Sequence, residues 1–294
     1  MKKLILSLLC LGFAAMPKLW AQEEVNYLPE AGDFAISVNA MPAFSFIGNM
    51  FNGTANNGLN QFGGQAYLSD GTFGNLNPLV SITAKYMLSN NLGLRINAGW
   101  LYTNVTDRQY VQDDAALLNN PLSQNKVVDS RNIRNNGVSI MAGIERRVGK
   151  RHVQGVFGAG LIYAAQVGAT SYTYGNAMTP DNQSPSTAYA YGNTPQGFTS
   201  ARIKNTVNAN CRHYFGAVAF MGVEWFVAPK ISVGGEVNIA AVYRWNGAVY
   251  STVEGYNTLT TQVEDWTQLT SPNSNGFSFG TGNIGGNINL TFYF

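Results

Sequence analysis

The chain has 294 residues, with 18 lysines and arginines against 16 aspartates and glutamates, and only 12% of its residues are charged while another 12% are aromatic. A formal net charge of +2 over that length leaves no basic footprint for nucleic acid. With His152 and His213 as the only histidines and Cys10 and Cys211 as the only cysteines, a zinc site and a disulfide framework are both unsupported.

Lys2 and Lys3 precede an apolar run from Leu4 to Met16, and Ala21-Gln22 offers a cleavage point. Residues 1–21 therefore read as a secretory signal peptide, although Leu19 fits the small-residue rule poorly. Cys10 lacks the small residue expected just before a lipidated cysteine. Cleavage takes away Lys2, Lys3 and Lys18, leaving 15 basic residues (18 less 3) against 16 acidic ones, with Cys211 as the sole cysteine. Beyond the signal no apolar run reaches the roughly 18 residues of a membrane helix. Lipid offers no partner to an unpaired backbone group, so a membrane-spanning form of this chain has to be a closed barrel.

Residues 22–32 read as a short polar, acidic lead-in, and the barrel is expected over 33–294. A period of two marks a strand. The first, 33–41, sets Phe34, Ile36 and Val38 on one face and ends at Pro42. The segment 44–78 is rich in Gly and Asn and reads as a long loop. Strand 79–88 turns at 89–91 into strand 92–102, whose outward set is Leu92, Leu94, Ile96, Ala98, Trp100 and Tyr102. The polar segment 103–136 reads as a second long loop. Strands 137–147 and 151–164 are joined by a turn at Gly149-Lys150, where glycine can take a positive φ. A third loop, 166–210, carries Tyr-x-Tyr-Gly-Asn twice. Strands 212–227 and 231–245 meet at Ala228-Pro229-Lys230, and a fourth loop, 246–275, leads to the last strand, 276–294.

The expected fold is all-β: a transmembrane antiparallel up-and-down β-barrel of eight strands with four long extracellular loops. Three tight turns alternate with the four long connections, as in barrels with short periplasmic turns and longer outer loops. A soluble β-sandwich is the competing architecture. In the last strand Ile288, Leu290, Phe292 and Phe294 share one face and Asn287, Asn289, Thr291 and Tyr293 the other. This tail resembles the C-terminal assembly signal of Gram-negative outer-membrane proteins, and the chain as a whole resembles the small eight-stranded barrels of the OmpA/OmpX-like superfamily. The resemblance implies insertion into outer-membrane lipid by the barrel-assembly machinery; the even strand number puts both termini in the periplasm, and the chain departs from OmpA in that no peptidoglycan-binding domain is expected after the barrel.

Inward phases place Lys85, Arg95, Arg147 and Arg244 with Glu145, Glu224 and Glu236 in the lumen. A mixed-sign set of this kind reads as a structural charge network, because an eight-stranded barrel is just wide enough for side chains to fill. A selectivity ring for a channel is the alternative. Lys85, Arg95, Glu145, Glu224 and Glu236 all lie a few residues from a tight turn and are expected to share one level. Arg95 is expected to draw Glu145, while Glu224 and Glu236 need cations from the opposite wall, which Lys85 and Arg95 can supply across a narrow barrel. Tyr172, Tyr174, Tyr189 and Tyr191 are candidates for contact with a sugar or an extracellular or envelope partner. Trp100, Tyr102, Tyr163, Tyr243 and Trp245 suit an interfacial girdle. Catalysis would need a base beside a nucleophile, and only His213 with Cys211 offers one, without a local carboxylate. The expected role is thus a non-enzymatic outer-membrane protein acting in surface interaction or envelope integrity, without cofactor, metal or nucleic acid. The runner-up is a narrow pore for small or hydrophobic solutes, and the third reading is a lipid-modifying enzyme.

Overall fold

The computed structural model describes residues 26–39, 82–189, 191–209 and 211–294. The expected signal peptide and the expected loop 44–78 lie outside the described residues. Strands appear wherever alternation was legible: β1 (Phe34–Asn39), β2 (Ile82–Ser89), β3 (Leu92–Gln112), β4 (Lys126–Lys150), β5 (Val153–Thr173), β6 (Phe198–Val207), β7 (Arg212–Ala228), β8 (Ile231–Asn246), β9 (Val249–Asn257), β10 (Gln262–Ser271) and β11 (Ser274–Tyr293). A short helix, α1 (Asp114–Asn119), caps the β3–β4 hairpin.

Eight strands pair antiparallel in a closed circuit, β1–β2–β3–β4–β5–β7–β8–β11 and back to β1. The first and last strands close it. Ala35 stands opposite Tyr293 and Val38 opposite Leu290, and the Phe34 and Phe294 backbones exchange hydrogen bonds of 3.2 and 2.8 Å. Two-residue hairpins make one end, at Asn90-Asn91, Arg151-His152 and Pro229-Lys230. The second of these corrects the expected turn at Gly149-Lys150. Those two residues still pair with Gln154 and Val153; Gly149 does take a positive φ, of 143°, and Arg151 at the tip takes another, of 64°.

The other end departs from four long loops. β3, β4 and β5 run 21, 25 and 21 residues, about twice the 9 to 11 that cross a bilayer. Most of the expected loop 103–136 is thus the continued β3–β4 ladder, with Gln112 opposite Lys126. The expected loops 166–210 and 246–275 contain β6, β9 and β10, which form an antiparallel branch of the same sheet outside the circuit. β5 carries it: this strand pairs with β7 over Val153–Gln166, then changes partner to β6 over Ala169–Ser171. The β3–β4 extension escaped a period-two reading because both of its faces are largely polar, and in β6 and β9, which bury Ala201, Val253 and Tyr256, register shifts at Phe198/Ala201 and Ile203/Asn205 break the period.

The lead-in is not merely polar. Tyr27 and Leu28 pack against a cluster of Ala35, Met87, Phe226 and Tyr293, and Pro29 is buried beside them. This segment reaches all three hairpins: Ala31 N donates to Asn90 Oδ1 (3.0 Å), the Tyr27 ring meets His152 edge-on (4.3 Å), and Lys230 N donates to the Tyr27 carbonyl (3.3 Å). An ion pair between Lys230 and Asp33 fixes the crossing.

Candidate functional site

Alternation along each strand of the circuit sends one residue in two into the lumen. At the hairpin end these inward residues are ionised groups of both signs. Lys85 Nζ lies 2.6 Å from Glu224 Oε1 and 3.0 Å from Glu145 Oε2. Arg147 pairs with Glu145 (3.1 Å) and with Glu224, and donates to Gln154 Oε1 (2.8 Å) and to the Tyr293 hydroxyl. Glu224 further accepts from Ser232 Oγ (3.1 Å) and Tyr293 Oη (3.0 Å). Arg95 holds Glu236 through two bonds, of 2.5 and 3.1 Å, and lies over the Phe220 ring at 4.4 Å. Its distance to Glu145 is 3.9 Å, so the expected Arg95–Glu145 pairing is secondary: Glu145 is held by Lys85 and Arg147, and Arg95 reaches across to β8.

Space for these side chains comes from glycines on the flanking strands. Glu145 faces Gly93 on β3 and Gly158 on β5. A Cβ on Gly158 would lie 2.1 Å from the Ile144 carbonyl oxygen and 2.6 Å from the Phe220 ring. Burial without partners would cost each charge several kcal/mol, and three cations balance three carboxylates here.

Arg244 does not belong to this group. It faces inward, opposite Tyr214, but it lies eight residues along β8 from Glu236, or about 27 Å of strand. Its distance from the tight turn already set it apart from the level expected for Lys85, Arg95, Glu145, Glu224 and Glu236. Between the two levels the lumen is packed by Met141, Ile162, Ala164, Tyr214, Val218, Phe220, Ala240 and Val242, with Leu101 against them, and by the buried polar side chains of Thr83, Asn97, Ser139 and Asn238. From the hairpin end inward, the lumen therefore holds the lead-in, the charge layer and a packed, largely uncharged layer.

At the extended end the four tyrosines of the repeated motif come together in part. Tyr172 and Tyr174 stack at 6.2 Å, Tyr189 meets Tyr172 edge-on at 5.2 Å, and Tyr191 bonds the Pro185 carbonyl instead. Arg202 lies over Tyr174 at 4.2 Å and Arg131 over Tyr189 at 5.6 Å. Burial raises the Tyr174 hydroxyl above its ordinary value, which keeps it a donor to the Ile203 carbonyl at 2.6 Å. Two aspartates that sequence reasoning left in a loop organise this cap. Asp129, fully buried, accepts from Gly175 N, Thr187 Oγ1 and Ala188 N at 2.8, 2.7 and 3.0 Å. Asp114 accepts from Asn182 Nδ2 (2.8 Å) and Ser186 N (2.7 Å). Burial disfavours the Asp114 charge, but these bonds outweigh it and lower its carboxyl below the ordinary value.

Apolar and aromatic side chains cover the outer face of the circuit. Tyr163, Phe215, Tyr243 and Phe277 stand opposite one another across β5, β7, β8 and β11, all exposed. His213 joins them: its Nδ1 lies 2.9 Å from the Tyr163 hydroxyl, its Nε2 3.6 Å from Cys211 Sγ, and its ring stacks on Trp245 at 4.2 Å. Ile288, Leu290 and Phe292 are half-buried on that outer face and Phe294 is exposed, whereas Thr291 and Tyr293 point inward and are buried. Among the described residues no group of three or more His, Cys, Asp or Glu is arranged to hold a metal ion.

No protein-family model and no curated protein matches the sequence. Among solved structures, the outer membrane protein OprG from Pseudomonas aeruginosa is similar over 92% of this chain and 99% of its own, at 11% identity and a TM-score of 0.33. A major outer membrane protein from Thermus thermophilus is similar over 90% and 100%, at 10% identity and a TM-score of 0.32. Likeness at this level adds nothing to the architecture that the strand pairings define: an antiparallel barrel with a packed interior and an apolar exterior.

Removing one charge tests the lumen network. Arg95→Ala leaves Glu236 and Glu145 short of a cation and should destabilise the barrel by about 3 to 5 kcal/mol, read as a lower midpoint of heat unfolding in detergent. Adding Glu236→Gln to that variant should restore more of the loss than adding Glu145→Gln. Equal rescue by both would contradict the cross-lumen pair. In the cap, Asp114 stabilises the fold fully above its ordinary value of 3.8, and that contribution fades as pH falls through its lower folded value. Proteolysis between residues 177 and 189 by an acid-active protease should rise below about pH 3.8, and Asp114→Asn should show the high rate at every pH.

Proposed function

We propose that the chain is a non-enzymatic outer-membrane β-barrel protein that acts through its extended external end, in surface interaction or envelope integrity. On this reading the signal peptide over 1–21 exports it, and the strand bearing Ile288, Leu290, Phe292 and Phe294 presents it to the barrel-assembly machinery. In architecture it is similar to the OmpA/OmpX-like barrels.

The observation that carries this reading is the outer face of β4. Arg146 and Arg134 are twelve residues apart and both exposed, and between them the outward residues are Ile144, Ala142, Ile140, Val138 and Asn136. Twelve residues tilted by about 40° rise about 30 Å, the hydrocarbon thickness of a bilayer. Trp100, Tyr102, Tyr163, Tyr243 and Trp245 stand at the upper edge of this belt, and Tyr86, Trp225 and Phe294 at the lower. The hairpins then face the periplasm and the strand extensions, α1 and the β6–β9–β10 branch face outward.

A narrow conduit is the weaker reading, because the charges pair with one another and a packed layer lies above them. A lipid-acting enzyme is weaker still. Among the described residues no carboxylate touches His213, whose ring nitrogens meet Tyr163 and Cys211.

In a Cys211→Ala background, single cysteines at Asp113, Tyr189 and Asn257 should react with an impermeant maleimide on intact cells, and cysteines at Asn90 and Lys230 should react only after lysis. The reverse pattern would invert the orientation. A soluble protein whose gel mobility is the same boiled and unboiled would remove the membrane reading.

A further inference from the structure

Above the aromatic edge, the β3–β4–β5 ladder sorts its charges by face. The face that continues the lumen lining carries Asp107, paired with Arg131 at 2.8 Å, and the buried Asp129. The face that continues the lipid-facing wall carries Arg134, Arg108 and Lys126, all exposed, and no acid. On β5 the same face presents Val167, Ala169, Ser171 and Thr173. None of the three cations has an ion pair among the described residues. Between the two arginines lies a polar cluster, in which Asn132 Nδ2 donates to Asn104 Oδ1 at 2.6 Å and to Thr106 Oγ1 at 2.9 Å.

The ladder register fixes the height of each group. Tyr102 stands opposite Asn136 at the aromatic edge, and Arg134 comes two residues later, about 7 Å along the strand. That puts it in the headgroup layer, about 5 to 8 Å thick on each side of the hydrocarbon. Arg108 lies six residues beyond Tyr102, which at a tilt of about 40° is about 15 Å above it, and Lys126 is about 25 Å up. A phospholipid phosphate can serve Arg134 alone. A ligand that meets Arg134, then amides and hydroxyls, then Arg108 must carry anionic groups at two depths with hydroxyls between.

We propose that this outward strip, Arg134–Asn132–Arg108 with Asn104 and Thr106, is a binding site for a phosphorylated glycolipid of the outer leaflet. It rests on the membrane reading above. Arg134 engages a phosphate at the base of the sugar headgroup, the amide cluster contacts sugar hydroxyls, and Arg108 engages a phosphate further out along the saccharide. Guanidinium forks suit phosphate oxygens, and the low dielectric beside the membrane strengthens such charge-assisted bonds. Lys126 stands too high to take part.

Native mass spectrometry of the folded protein in detergent tests the site. The probes are a short-core lipopolysaccharide with phosphorylated core sugars, diphosphoryl lipid A, phosphatidylglycerol, and inorganic phosphate as competitor. Wild type should retain the short-core lipid best. Arg134→Gln should weaken both glycolipids about fivefold, Arg108→Gln only the core-phosphorylated one by about fivefold, and the double variant the latter about 30-fold. Lys126→Gln should change nothing. Equal retention by wild type and double variant, equal retention of phosphatidylglycerol, or displacement by millimolar phosphate would overturn the proposal. Gel mobility of unboiled samples verifies that each variant is folded. A wild type absent from the outer-membrane fraction would sink the membrane reading itself, whereas a correctly located protein without lipid discrimination would sink this inference alone.

Discussion

The Glu224 carboxylate is the point at which the barrel is tied across its own interior. From β7 it accepts Lys85 of β2, Arg147 of β4, Ser232 of β8 and Tyr293 of β11. Five of the eight strands in the circuit therefore meet at one group. A charge buried alone would be too costly to keep, so the lumen must hold a balanced set or none. Lys85, Arg95 and Arg147 against Glu145, Glu224 and Glu236 meet that condition. The flanking glycines, Gly93, Gly158 and Gly234, follow from it, since each leaves room beside a glutamate.

That layer also explains how the two ends of the molecule differ. Below it, Tyr27, Leu28 and Pro29 lie against Met87, Phe226 and Tyr293, and the lead-in touches all three hairpins. Above it the interior is packed and largely uncharged, and beyond Gln166 β5 leaves β7 for β6. The change of partner turns a closed tube into an open display. Three strands continue past the circuit, a branch of the same sheet is attached at its rim, and buried Asp129 and the helix-capping Asp113 order the connections.

Much of the circuit was legible because one of its faces is apolar. Ile144 and Glu145, or Leu94 and Arg95, announce their faces by chemistry alone, and Lys85, Arg95, Glu145, Arg147, Glu224 and Glu236 were assigned to the lumen from parity. Height was legible from distance to the tight turns, and the cross-lumen supply of cations by Lys85 and Arg95 to Glu224 and Glu236 was legible too, whereas the order of preference among partners was not. Arg244 has the same parity as Glu236 but sits at the far end of its strand, and Arg95 chose Glu236 over the nearer-seeming Glu145 because Lys85 and Arg147 already hold the latter. The extensions of β3 and β4 were hidden for another reason. Thr103, Asn104, Thr106 and Asp107 are polar on both sides, and backbone pairing without a buried face leaves no period to read. Tyr27 and Leu28 were overlooked because two apolar residues in an acidic segment carry no pattern, and only the sites they fill give them meaning.

The claim on which the rest turns is that the lumen is filled and its charges are spent on one another. The most direct measurement is single-channel recording of the wild-type protein in planar bilayers, beside a variant lacking residues 22–32. Both should stay electrically silent at ordinary salt and voltage, because removing the lead-in still leaves the charge layer and the packed layer above it in place. Stable, ion-selective steps from the wild type, retuned by Arg95→Ala or Glu236→Gln with no loss of heat stability, would contradict it and make the same residues a filter.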